Sequence, residues 1–154
     1  MSGFNQSVRV ENNNITIAQK GAESVTVQGP VEYGSYIPVL TGLAGWTEEP
    51  TAMQVNFTRV GNSLVGSGTF NARANAAGNG AVTTFNMSLP GFVTNLAVYK
   101  DMAGSGIQAP SNQATDGHIS LRAIAATATL GVSVYASSTS PSSFAFNFSG
   151  IFEA

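Results

Sequence analysis

Apolar side chains recur at every second position along most of this chain, and that period limits what it can fold into. Val8 and Val10, Ile15 and Ile17, and Val25 and Val27 mark three short alternations near the N-terminus. Met53, Val55 and Phe57 repeat the pattern, as do Phe85, Met87 and Leu89. Leu130, Val132 and Val134 follow, then Phe144, Phe146 and Phe148. Alternation of this kind places apolar residues on one face of a strand and polar residues on the other. Gly29-Pro30, Gly61-Asn62, Gly78-Asn79-Gly80, Pro90-Gly91 and Ser140-Pro141 separate the runs with turn chemistry. Short strands at such spacing predict an all-β chain built as an antiparallel sandwich.

A length of 154 residues suits one domain, large enough to bury roughly 70% of its unfolded surface. Residues 1–30 are polar and Asn-rich. They read as an N-terminal arm whose three alternations could pair as small hairpins or lie along a neighbour. Residues 31–154 carry the higher apolar density of the sandwich. Leu121–Leu130, LRAIAATATL, has helix-favouring Ala and Leu, but Thr127, Thr129 and the β-branched run after it favour strand. Lys100–Gly117 lacks alternation and is rich in small residues, so it is expected to be a long surface loop.

Charge is the unusual quantity. Only 9% of residues are charged, against about 25% in ordinary soluble domains, and the net charge is −2. The outside must then be covered by Asn, Ser, Thr, Gln, Gly and Ala, and little electrostatic repulsion opposes association. The basic residues Arg9, Lys20, Arg59, Arg73, Lys100 and Arg122 are scattered, which argues against nucleic acid as a partner. No apolar run approaches the roughly 18 residues of a spanning helix, so no membrane partner is expected. MSGFNQSVRV lacks the apolar region of a signal peptide, and the chain is expected to be a complete product. With no cysteines, disulfides, thiolate zinc sites and cysteine nucleophiles are absent together.

Reactive constellations are sparse, and no catalytic residue, metal ligand or cofactor is expected. His118 is the only histidine; with Asp116 and Ser120 it sits at alternate positions without a nucleophile-elbow motif. Asp116 and His118 supply two metal ligands where zinc takes three or four. Glu48-Glu49-Pro50 reads as a solvated turn, since adjacent turn residues point apart. Asp101 and Asp116 do not match a calcium loop. N-x-S/T triplets begin at Asn5, Asn14, Asn56, Asn86 and Asn147, and without a signal peptide they are not sugar sites. Trp46, in the loop-like GLAGWTEEP, is the aromatic to weigh as a surface recognition residue against a lid over one end of the sandwich. The hairpin from Met53 to Phe70 turns outward Gln54, Asn56 and Thr58, uncharged groups whose apposition to a neighbour desolvates little charge. Its work is expected to be architectural.

Tyr33–Gly42, YGSYIPVLTG, resembles the Y-x-P-x-L-T-G opening of β-rich modules in bacteriophage fibres and other virion proteins. FTRVGNSLVGSGTF is similar to their strand–turn–strand, FNMSLP to a later segment ending in Leu-Pro, and FAFNFSGIF to their last aromatic strand. Residues 1–30 have no counterpart. The resemblance implies an antiparallel jelly-roll-like β-sandwich that forms homotrimers and is not an enzyme. Fibre modules usually end long stalked chains. A module behind only a short arm looks closer to a capsid cement or decoration protein, assembled in the host cytoplasm and located in the virion. The implied partners are copies of itself and the major capsid protein, with Val8, Val10, Ile15 and Ile17 of the arm as contacts. The alternative is a receptor-binding tip or short tail fibre contacting a host-surface glycan.

Overall fold

The computed structural model describes residues 31–152, apart from 52, 95, 97–101 and 110–116, and the strand backbone between residues 6 and 28. Every regular element among them is a β-strand. Strands β1 (Gln6–Glu11), β2 (Asn14–Gln19) and β3 (Val25–Gln28) pair in order as an antiparallel sheet. Val8, Ile17 and Val25 share one cross-strand row, and Val10, Ile15 and Val27 the next. The three early alternations therefore fall on one face of one sheet. The side-chain surroundings of Val8, Val10, Ile15 and Ile17 lie outside the described residues.

Ten further strands form the body. They are β4 (Glu32–Tyr36), β5 (Leu40–Ala44), β6 (Trp46–Glu48), β7 (Val55–Val60), β8 (Ser63–Ala74), β9 (Thr83–Ser88), β10 (Met102–Ala109), β11 (His118–Ala123), β12 (Thr129–Tyr135) and β13 (Ser142–Ile151). Nine of them run in the order β4-β7-β8-β13-β10-β11-β12-β9-β5, each pair antiparallel, and β6 adds to β8. The ends of that order, β4 and β5, are consecutive in the chain with only Ile37, Pro38 and Val39 between them. So short a link spans at most about 14 Å. The sheet must therefore curl into a half-barrel that brings its edges near each other. Buried Pro38, which has no N–H to donate, sits at the step.

The concave side holds the core. Phe70 on β8 and Phe85 on β9 are not sheet neighbours, yet their rings meet edge-on at 5.4 Å. Phe70 also stacks on its cross-strand partner Phe144 at 4.9 Å. Three other rings lie between glycines. Phe57 faces Gly34 and Gly66, Phe146 faces Gly68 and Gly106, and Phe148 faces Gly66 and Gly104. The rings of Phe57, Phe148 and Phe146 occupy the space that a Cβ would need at Gly34, Gly66 and Gly68. Aromatic area thus fills the interior where glycine leaves room on the adjacent strand.

Three expectations change. Met102–Ala109, inside the expected loop Lys100–Gly117, is strand β10, with Met102 and Gln108 buried; Lys100, Asp101 and residues 110–116 lie outside the described residues. Leu121–Leu130 is two strands instead of one: β11 ends at Ala123, a turn passes through Ala126 at φ 59, and β12 begins at Thr129. Trp46 lies in strand β6, paired to Ala74, rather than in a loop. The Gly61-Asn62 turn joins β7 to β8 as the sequence predicts, with Gly61 at φ 57, the positive value a tight hairpin demands at that position.

Arg59, the one charged residue between Met53 and Phe70, closes an end of the interior. Its guanidinium lies 4.5 Å from the Phe92 ring centre and 5.3 Å from that of Phe152. Its Nε donates to the Gly61 carbonyl at 3.0 Å. The Glu32 carboxylate, 3.6 Å away and more than half exposed, adds little. Arg59→Ala is expected to cost about 1–2 kcal/mol, through lost ring contact more than lost charge. Urea unfolding checks it, and Arg59→Lys should recover less than half of that loss because an ammonium cannot lie flat between two rings.

Candidate functional site

Strand pairing across the convex face produces a feature that no single stretch of sequence displays. Ser35, Asn56, Ser67, Asn147, Ser105, Ser120, Ser133 and Thr84 are successive cross-strand partners on eight strands. At about 4.8 Å per strand this is a row of hydroxyls and amides roughly 34 Å long. The first six are exposed, and Ser133 and Thr84 are half-buried. None of these groups ionises near neutral pH. The row can donate and accept hydrogen bonds at every step without desolvating a charge.

Of the outward hairpin residues expected from the sequence, Asn56 is in this row. Gln54 is exposed beside it, its Nε2 donating to Ser35 Oγ at 2.9 Å. Thr58 is half-buried between its cross-strand partners Tyr33 and Val65. Exposed apolar residues flank the row on opposite sides. On the side of Thr58 lie Tyr33, 79% exposed, with Val31, Val65 and Ile151. On the other side Ile107, 62% exposed, pairs with His118, whose ring stacks on Tyr135 at 4.4 Å. Sequence reading missed these residues because each is a lone apolar side chain at an outward position. Only the register shows that they cluster.

Trp46 is half-buried, with its ring 6.1–6.3 Å from those of Phe70, Phe85 and Phe144. Its Nε1–H donates to the Thr84 carbonyl at 3.0 Å. Both the ring and its polar tip are thus engaged by the body. Glu48 and Glu49 line one shallow groove of about 540 Å3 with Asn71, Pro141 and Ser142. Contrary to the expectation of a turn that points them apart, one groove receives both. His118 and Ser120 sit side by side on the outer face of β11, but the His118 ring turns to Tyr135. Asp116 lies outside the described residues.

Among the described residues, one buried side-chain polar atom is unpaired. The Tyr36 hydroxyl, packed near Phe57, finds no hydrogen-bond partner among the described residues, and burial pushes its phenol pKa well up. Tyr36→Phe is expected to stabilise the fold by about 1 kcal/mol, since it removes an uncompensated desolvation. A shift of the urea midpoint upward at unchanged slope is the readout. No family model, curated protein or solved structure matches the chain.

Proposed function

We propose that this chain is a non-enzymatic structural protein of a bacteriophage virion, a cement or decoration protein that stabilises the head as a homotrimer. The observation that carries the reading is the row from Ser35 to Thr84, a long outer face of uncharged hydrogen-bonding groups. A face of this kind suits close packing between subunits, whereas a free monomer gains solubility from charge. The motifs from Tyr33 to Gly42 and from Phe57 to Phe70 support the virion assignment. A jelly-roll-like arrangement of the curled sheet belongs to the same proposal. The three-stranded sheet carrying Val8, Val10, Ile15 and Ile17 serves as the arm that attaches to the major capsid protein. A shell under pressure from packed DNA gains contact area where such a trimer bridges its subunits.

Binding to purified capsid shells tests this. Saturation at many copies per shell is expected, with affinity nearly constant between about 0.05 and 0.5 M salt because few ion pairs are formed. A few copies confined to the tail would reject it. Tyr33, the most exposed aromatic among the described residues, supports a second reading as a receptor-binding tip. In that case a glycan array shows a hit that Tyr33→Ala abolishes. Trp46→Ala is the poorer probe, because it opens the core as well.

A further inference from the structure

Gly78-Asn79-Gly80, in the connection from β8 to β9, forms a tight turn with φ values of 69, 53 and 77. Positive φ is ordinary for the two glycines, but an L side chain adopts it at a cost, and Asn79 carries one. The Ala81 N–H donates to the Gly78 carbonyl at 2.9 Å, closing a four-residue turn with Asn79 and Gly80 at its centre. The Gly78 N–H donates to the Ala136 carbonyl at 3.0 Å, which holds the turn against the end of β12. Asn79 and Gly80 are both exposed. Among the described residues, neither the Asn79 amide nor the Gly80 N–H has a hydrogen-bond partner. Beyond its chain neighbours, nothing lies within 4 Å of where a Gly80 Cβ would stand.

Asn79 is the only asparagine in the sequence that is followed by glycine. That order sets an unhindered backbone nitrogen beside a side-chain amide, close enough to form a five-membered ring within the chain. The Gly80 nitrogen gives up its proton and bonds to Asn79 Cγ. The Cγ–Nδ2 bond breaks, and Nδ2 leaves as ammonia with that proton. Water then opens the cyclic imide: cleavage at Cγ gives aspartate, and cleavage at the main-chain carbonyl gives isoaspartate, whose backbone runs through Cβ and Cγ. One water is consumed, one ammonia is released, and nothing is oxidised or reduced. Bringing the nitrogen onto Cγ breaks the Ala81–Gly78 hydrogen bond and meets no packed neighbour at Gly80. Asn62, in the β7–β8 turn, is held differently. Its carbonyl accepts from the Phe152 N–H at 2.9 Å, and the next residue, Ser63, bears a side chain and is paired in β8.

We infer that Asn79 is a modification site, converting spontaneously in the folded protein to isoaspartate and aspartate, and that the turn acts as a slow timer of the protein's charge. One added carboxylate takes the net charge from −2 to −3. On a chain with so few charges, that step changes how strongly copies repel one another. Isoaspartate also lengthens the backbone by one carbon, which the closed turn cannot absorb while keeping its Ala81–Gly78 bond. The inference stands apart from the virion reading and is tested without a shell. The full chain is aged at neutral and at mildly alkaline pH, cleaved after Arg73 and Lys100, and residues 74–100 are sequenced by mass spectrometry. Exchange of NH2 for OH is expected at Asn79 ahead of Asn75, Asn86 and Asn95, faster at the higher pH, with isoaspartate the larger product. Asn79→Gln should lose the signal, because its ring would need six members. Asn79→Asp carries the charge without the extra carbon, so it should reproduce the isoelectric shift and keep the Ala81 amide protected from exchange, whereas the aged protein loses that protection. An Asn79 that stays intact while another asparagine of the peptide converts would overturn the inference. So would conversion that occurs only when the chain is unfolded in urea.

Discussion

Gly104→Ala is expected to destabilise the fold by about 3 kcal/mol. A Cβ there would run into the Asn147 carbonyl oxygen and the backbone and Cβ of Phe148. Backbone on the adjacent strand cannot swing away as a side-chain tip can, so β10 and β13 must separate locally. At roughly 2–4 °C per kcal/mol for a chain of this size, the melting temperature should fall by about 6–12 °C. Gly91→Ala is the control, since nothing lies within 4 Å of the added carbon; it should stay within about 0.5 kcal/mol of wild type. Gly66→Ala separates the two kinds of collision. The three atoms nearest its added carbon are all ring atoms of Phe148. Phe148→Leu should therefore partly rescue Gly66→Ala and leave Gly104→Ala unrescued. Equal rescue of both would show that ring crowding, rather than backbone contact, limits this part of the sheet.

The same glycines explain which strands could be seen in the sequence. β13 announces itself because its inward residues, Phe144, Phe146 and Phe148, are large and apolar. Its neighbour β10 presents Met102, Gly104, Gly106 and Gln108 to the same interior, and only the first is an apolar side chain of any size. Gly104 and Gly106 face Phe148 and Phe146 in the register, and the backbone of β13 lies where their side chains would stand, so alternation vanishes from β10 beside the strand where it is strong. A hidden turn explains the other miss. Between β11 and β12 the chain reverses through Ala125 and Ala126, with Ala126 at φ 59, where glycine or asparagine would have given the signal. Trp46 looked loop-like because its strand is only three residues long and is flanked by Gly45 and Pro50. Outward positions were legible one strand at a time, as with Gln54, Asn56 and Thr58. The polar row and the two apolar patches depend on register across eight strands, which local periodicity does not encode.

Gln108→Leu is expected to cost about 2–4 kcal/mol, although the side chains are close in size. Gln108 is 2% exposed and fully occupied. Its Oε1 accepts from the Ser137 N–H at 2.7 Å and from Ser137 Oγ at 3.1 Å. Its Nε2 donates to Ser142 Oγ at 2.8 Å, and that hydroxyl in turn donates a hydrogen bond to the Ser140 carbonyl at 2.9 Å. One amide thus ties the connection between β12 and β13 to the interior of β10. Leucine would take the acceptor from the N–H and hydroxyl of half-buried Ser137 and the donor from Ser142 Oγ, and such losses within one network exceed the sum of single bonds. Gln108→Glu sharpens the test through pH. A buried carboxyl is held protonated, so its folded pKa should rise above the unfolded value of about 4.3. The folded state then binds more protons, and the variant's stability should decline as pH rises above about 4.3, while wild type changes little there. Pro141 and Ser142 also line the groove that receives Glu48 and Glu49. Loss of the Gln108 tie should therefore speed amide exchange at Ser137 and loosen that wall of the groove, with β4 and β7 protected as before.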